Sequence, residues 1–313
     1  MKHSAQWSHI QENGAYASLK IMMVIYRFAG KPILEFILFF VVGFYFIFNF
    51  RARKASRFYL QQIHCFIGSK SPWKNSPNLW HSFQHFMSFG QATIDKLVVW
   101  LGEYKKEDLI FSGYSKYISL KKQKKGIMII TSHIGNVDIC RGIAGGVEGI
   151  PLTVLMYNAH APNFQKITEE VTPTGTTIEI IEVNKLTPDI AIKLQYKILI
   201  GETIIIAGDR MPTNNLSRHE TLPFLGQDAA FAQGPFILAS LLDCPVLLLF
   251  SMKHNNSYHV FFEFFSNSLK TAKKDRQVIL KKHIKRYVKR LERYACAYPL
   301  QWYNFYDYWN LPK

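Results

Sequence analysis

An α/β protein with a central mixed sheet flanked by helices and a hydrophobic membrane-anchor helix in front of it is predicted by three observations. Short apolar runs, Gly126–Ile130, Leu152–Met156, Thr203–Ala207 and Val246–Phe250, alternate with stretches of helical periodicity. Two of them, the first and the third, stop at clusters of polar residues, which is where an open α/β sheet places its chemistry. Pro32 to Phe50 is apolar on every face apart from Glu35 and Asn49.

The first run, Ile127 to Ile130, is continuous and β-branched, as expected of a strand covered on both faces. Gly135-Asn136 then supplies a tight turn before a helical segment. From Phe58 to Lys106 the periodicity is helical, with His81, His85, Phe86 and Phe89 as scaffolding residues and a loop at Pro72-Trp73 and Ser76-Pro77. Lys121 to Lys125 reads as a solvated turn. Gln277 to Ala295 reads as a basic amphipathic helix, with Leu280, Ile284, Tyr287, Val288, Leu291 and Tyr294 on one side. Its basic side suits solvent, anionic lipid or an acidic carrier protein.

The chain has 313 residues, enough for a sizeable core, and no shift in composition separates two globular halves. The simplest division is an N-terminal segment, 1–57, carrying the anchor at about 32–50, and a catalytic domain over 58–313. A formal charge of +16 calls for anionic partners, and 15% aromatic residues suit a protein that wets an interface. Four scattered cysteines, Cys65, Cys140, Cys244 and Cys296, point to free thiols in a reducing compartment.

The apolar segment is just under twenty residues, the lower limit for crossing a bilayer, so a full span and an embedded interfacial helix are both open, beside a buried core helix. Arg51, Arg53, Lys54 and Arg57 favour a cytoplasmic location for the end they follow, although Lys20, Arg27 and Lys31 place cations before it too.

The first polar cluster carries the catalytic expectation. His133 follows the strand end and Asp138 follows the turn, so a strand, a turn and a first helical turn would return the Asp carboxylate to the imidazole. With 11 His and 22 acidic residues, roughly one such spacing arises by chance, so the strand context carries the inference. The plainer alternative is a capping Asp and a core His. Asp209 and Arg210 end the third run: they pair with each other, or Arg210 grips a phosphate or carboxylate while Asp209 orients it or positions an acceptor. Gly234-Pro235 opens an apolar helix whose free amides suit a phosphate or an oxyanion, and a backbone amide near Gly135 or Gly234 is the expected oxyanion donor. Gly135, Asn136, Asp209, Arg210 and Gly234 are therefore the candidate substrate-binding residues. Ser132 lacks the elbow motif of a nucleophilic serine, and no further clustered His or Cys completes a metal site.

Together these residues resemble the lysophospholipid acyltransferase superfamily, in the branch of the bacterial lipid A late (lauroyl/myristoyl) acyltransferases. The resemblance runs through Trp7-Ser-His-Ile-Gln-Glu-Asn-Gly14, Tyr26-Arg-Phe-Ala-Gly-Lys-Pro32, the His133/Asp138 block, Gly208-Asp-Arg-Met-Pro212, Phe231-Ala-Gln-Gly-Pro-Phe236 and Pro299-Leu-Gln-Trp-Tyr-Asn-Phe-Tyr-Asp-Tyr-Trp309. It implies a glycerolipid acyltransferase-like fold and transfer of a fatty acyl chain from acyl carrier protein or acyl-CoA to a hydroxyl or amine of a lipid or glycolipid. It also implies the bacterial inner membrane, with the catalytic domain facing the cytoplasm, no cofactor beyond the thioester co-substrate, and no nucleic acid. Relatives that acylate glycerol phosphate carry Phe-Pro-Glu-Gly-Thr-Arg where Phe231 to Phe236 stands, so the resemblance does not extend to that acceptor. A basic nucleic-acid-binding protein leaves the apolar segment and the His/Asp block unexplained, and no nucleic-acid motif is present. A catalytically silent membrane scaffold of the same fold is the remaining alternative.

Overall fold

The computed structural model describes residues 13–101, 103, 109–140, 151–156, 178–182, 187–212, 218–255 and 257–311, with the side chains of 13–20, Trp100 and Lys273 left aside. Trp7 to Glu12 of the resemblance lie outside the described residues.

Seven strands form one mixed sheet: β1 (Leu109–Ser112), β2 (Ile127–Thr131), β3 (Leu152–Met156), β4 (Ile178–Glu182), β5 (Thr203–Ala207), β8 (Val246–His254) and β9 (Ser257–Ser266). Their order is β1-β9-β8-β2-β5-β3-β4. The five strands from β8 to β4 run parallel, whereas β9 returns antiparallel to β8 and carries β1 parallel beside it. Strands β6 (His219–Phe224) and β7 (Gln227–Ala232) make a separate hairpin, closed by Leu225 and Gly226, both at positive φ.

The four apolar runs are β2, β3, β5 and the first half of β8, the buried centre of the sheet, which is why continuous hydrophobicity marked them. Strands β1, β4 and β9 mix apolar with polar or exposed positions, and the apolar-run criterion passes over them.

Helices α1 (Asn13–Phe48), α2 (Phe50–Ile67) and α3 (Leu79–Trp100) precede the sheet, followed by α4 (Tyr114–Lys122), α5 (Pro188–Leu199), α6 (Gly234–Leu242) and α7 (Arg276–Ala297). The boundary expected after Arg57 falls inside α2. On α7 the apolar side is buried, including Leu280, Ile284, Tyr287 and Leu291, and several exposed basic residues reach acidic partners, Lys281 toward Glu220 and Arg290 and Arg293 toward Glu263.

The apolar segment expected as an anchor belongs to a longer element, α1. Helix α1 is broken at Gly30, which adopts φ +77°, and resumes through Pro32. Its stretch Ile21–Phe48 is long and apolar enough to cross a membrane. One face packs on α3 through Leu34, Leu38 and Val42, and a Cβ on Gly90 of α3 would meet Leu38 Cδ1 at 2.9 Å. The pairs Phe46–Phe83, Leu38–Gly90 and Lys31–Asp95 make α1 and α3 antiparallel. The opposite face leaves Phe36, Phe40 and Phe44 about 60% exposed or more (66%, 60% and 59%), a large apolar surface open to a non-aqueous partner.

Candidate active site

Strands β2 and β5 are parallel neighbours, with Thr131 opposite Ala207. His133 stands two residues beyond the first and Asp209 two residues beyond the second, so equal offsets at adjacent strand ends bring the two side chains together. His133 Nδ1 lies 2.8 Å from Asp209 Oδ1, and the His133 backbone N–H donates to Asp209 Oδ2 at 2.9 Å. The strand ends are tied beneath the pair: the Thr131 carbonyl accepts from the Gly208 amide at 2.9 Å and from the Tyr287 hydroxyl at 2.8 Å.

Asp209 is fully buried, and its carboxylate is saturated with donors. Oδ2 also accepts from Trp302 Nε1 at 3.0 Å and from Asn304 Nδ2 at 3.1 Å. Burial alone would push this carboxyl up, but the adjoining His133, its hydrogen bonds and the Arg210 charge hold it well below the usual carboxylate range. It is therefore ionised and acceptor-only, which places the His133 proton on Nδ1 and leaves the Nε2 lone pair bare. Nε2 has no protein partner among the described residues, and about a third of the His133 side chain (34%) is exposed. Burial pushes the imidazole below its ordinary value and the Arg210 charge adds to this, against the opposing pull of Asp209. A neutral base with an outward lone pair, oriented by a buried carboxylate, can take a proton from a hydroxyl or amine brought against it.

The depressed Asp209 gives a sign-defined stability prediction. Because its folded value lies below the unfolded 3.8, its contribution is complete above about pH 4 and is lost as pH falls through the folded value. Urea midpoints measured from pH 5 down to pH 2 should fall more steeply for the wild type than for a folded Asp209→Asn variant.

The orienting carboxylate expected from Asp138 is thus supplied by Asp209. Asp138 begins a helical turn and its carboxylate meets Lys96 of α3 at 2.7 Å. The intervening residues are tied to other parts of the chain: Ile134 bridges Trp302, Gly135 bridges Ser251, and the Asn136 amide donates to the Ser251 carbonyl at 2.7 Å. That path carries Asp138 past the imidazole toward α3.

The candidate substrate-binding residues are placed as follows. The Gly135 amide donates to the Gln301 carbonyl at 2.7 Å, so it is committed to the chain rather than to an oxyanion. Gly135 has φ +66°, and a Cβ there would sit 1.9 Å from the Ser251 carbonyl oxygen. Gly135→Ala is expected to lower stability by about 3 kcal/mol or more, read as a fall in Tm. Asn136 is buried and ties the turn to α3 by donating to the Ala92 carbonyl at 2.9 Å. Arg210 donates from Nε to Asn304 Oδ1 at 2.8 Å and from a terminal nitrogen to the Tyr303 carbonyl at 2.9 Å, so these donors hold the chain's last segment. Gly234 opens α6 as expected, with Phe236 packed against Tyr287, and no described contact joins it to His133. Ser132 is buried, its Oγ 3.4 Å from the Ile134 amide, in keeping with a structural serine.

The scaffold histidines behave as expected. His81 completes the cap of α3, and buried His85, pushed down to about 3 by its burial, stays neutral. Its Nε2 donates to the Trp302 carbonyl at 3.0 Å, so its Nδ1 accepts from Ser56, which in turn accepts from Ser82.

Trp302 and Asn304 lie in the Pro299 to Trp309 motif of the resemblance, and nothing in the sequence itself marks them as partners of Asp209. No family model matches the chain, and no curated protein matches it. Among the described residues no group of three or more His, Cys, Asp or Glu is placed to hold a metal ion.

Proposed function

We propose that this protein is a membrane-associated acyltransferase that moves a fatty acyl chain from an acyl thioester to a hydroxyl or amine of a lipid or glycolipid. The observation that carries this reading is the buried Asp209 carboxylate holding His133 at the ends of the central strands β2 and β5, with Nε2 bearing no protein partner among the described residues. The motifs shared with the lipid A late acyltransferases support the same reaction class and point to acyl carrier protein, or acyl-CoA, as donor at the cytoplasmic face of a bacterial inner membrane.

In the reaction, His133 Nε2 takes the proton of the acceptor as its oxygen or nitrogen attacks the thioester carbonyl carbon. The new C–O or C–N bond forms, the C–S bond breaks, and the imidazolium returns the proton to the departing thiolate. Asp209 keeps the tautomer and stabilises the imidazolium while it exists. Attack is direct, through a ternary complex, and needs no protein nucleophile.

The exposed face of α1 supplies the attachment to lipid, with cations at both ends, Lys31 before it and Arg51 to Arg57 after it. At about 1.5 kcal/mol for each aromatic side chain withdrawn from lipid, replacing Phe36, Phe40 and Phe44 by serine should weaken membrane partition by roughly 10³-fold. Sedimentation with vesicles of bacterial phospholipid measures this; unchanged partition of the triple variant would remove α1 as the attachment. The reaction is tested by incubating membranes containing the protein with labelled acyl-acyl carrier protein or acyl-CoA. A labelled lipid that forms with the wild type and not with His133→Ala supports the proposal, and equal products from both would defeat it.

A further inference from the structure

The last described stretch of chain, 299–311, passes over the ends of β2, β5 and β8 as a strap. Gln301 exchanges two hydrogen bonds with Lys253 of β8, at 2.9 and 2.7 Å, and the Tyr303 amide donates to the carbonyl of His133 itself at 2.9 Å. Trp302 is completely buried among Tyr59, Phe224 and Tyr308, and the Tyr308 hydroxyl donates to the Asp209 carbonyl at 2.8 Å. A segment needed only to finish the core would not require three polar side chains directed at one acidic residue.

We propose that Trp302 and Asn304 are positioning residues: through their side-chain N–H groups on Asp209 Oδ2 they fix the carboxylate that orients His133, so the active site is complete only with the strap in place. Arg210 is the splint for this arrangement. Its Nε–H on Asn304 Oδ1 fixes the amide orientation, oxygen toward the guanidinium and Nδ2 toward Asp209, while its bond to the Tyr303 carbonyl holds the strap's backbone. One end of Trp302 is fixed as well, because its carbonyl accepts from His85. The carboxylate thus has Oδ1 for the imidazole and Oδ2 for two strap donors and the His133 amide.

The inference rests on reading His133 and Asp209 as the reacting pair, and its test does not depend on catalysis. Each donor on Oδ2 draws charge from the carboxylate. Removing one leaves more charge facing the imidazole, favours the imidazolium and moves the His133 titration to higher pH. The other titratable groups around the pair are Arg210, Lys96 on α3, Tyr287 on α7, and Tyr306 and Tyr308 in the strap; Trp302→Phe removes no partner of Arg210, whereas Asn304→Leu also removes the acceptor of its Nε–H.

The experiment is an NMR titration of the His133 ring in the full-length protein in detergent micelles, comparing wild type with Trp302→Phe, Asn304→Leu and Gln301→Leu. The last variant unties the strap from β8 without touching Asp209. We expect the two Asp209-facing variants to titrate higher than wild type by about half a pH unit or more, and Gln301→Leu to lose thermal stability with the titration unmoved. Folded Trp302→Phe and Asn304→Leu proteins that titrate as wild type, whatever their Tm, overturn the proposal. Should Asn304→Leu fail to fold, Trp302→Phe, which keeps an aromatic ring in the cavity, decides alone. A titration that moves in a protein that transfers no acyl group leaves the positioning role standing and removes the acyltransferase reading instead.

Discussion

His133→Ala is expected to lower acyl transfer by about 10²–10⁴-fold, the contribution of a positioned base to proton transfer. The loss should fall on turnover rather than on donor binding, since in the proposed reaction Nε2 acts on the acceptor proton. The wild-type pH profile carries an independent signature. A general base works when unprotonated, so kcat/KM rises with pH through the folded value of His133. Burial and the Arg210 charge hold that value below the ordinary 6.5, so the acid limb should lie below pH 6.5. A limb at or above pH 7 would mean that the imidazolium is favoured at the site, contrary to the balance of burial and charge around it.

The second large effect separates the two carboxylates. Asp209→Asn is expected to cost about 10⁴-fold in kcat, because a carboxamide can present an N–H to the imidazole and favour the wrong tautomer. Asp209→Asn also sets an amide among four donors, so its Tm must be measured alongside. Asp138 ion-pairs with Lys96 at a partly exposed position, with side chains 22% and 27% exposed, and losing such a pair costs about 1 kcal/mol or less. Asp138→Asn should therefore reduce turnover by less than about tenfold. Comparable losses in both variants would restore Asp138 to the reaction.

The pairing of His133 with Asp209 is not legible in the sequence, although its parts are. Both ingredients stood in plain view: two buried runs ending in His133 and Asp209 at the same offset. What pairs them is adjacency of β2 and β5 in the sheet, and strand order is a tertiary property that periodicity does not carry. The strand–turn–helix layout after β2 is legible enough to place the His at a strand end. The Asp five residues on does not return to the imidazole, because the turn follows β8 and the strap instead of folding back.

Elsewhere legibility followed burial. The central strands and the apolar side of α7 announced themselves, because full burial demands unbroken or strictly periodic hydrophobicity. The edge strands β1 and β4 did not, since one-sided or partial cover leaves a mixed composition. Gly135 looked like a turn residue and is one. Its amide was unavailable for an oxyanion because a neighbouring carbonyl from the chain's far end had claimed it.

The central claim is that His133, held by Asp209, is the base of an acyl transfer to lipid. Its most direct test is to supply membranes carrying wild type or His133→Ala with labelled acyl-acyl carrier protein and a total bacterial lipid extract, and to identify new products by mass. A labelled lipid made by the wild type and absent with a folded, membrane-bound His133→Ala protein is the predicted result, and its mass names the acceptor. The same labelled product in equal amount from both proteins would contradict the claim.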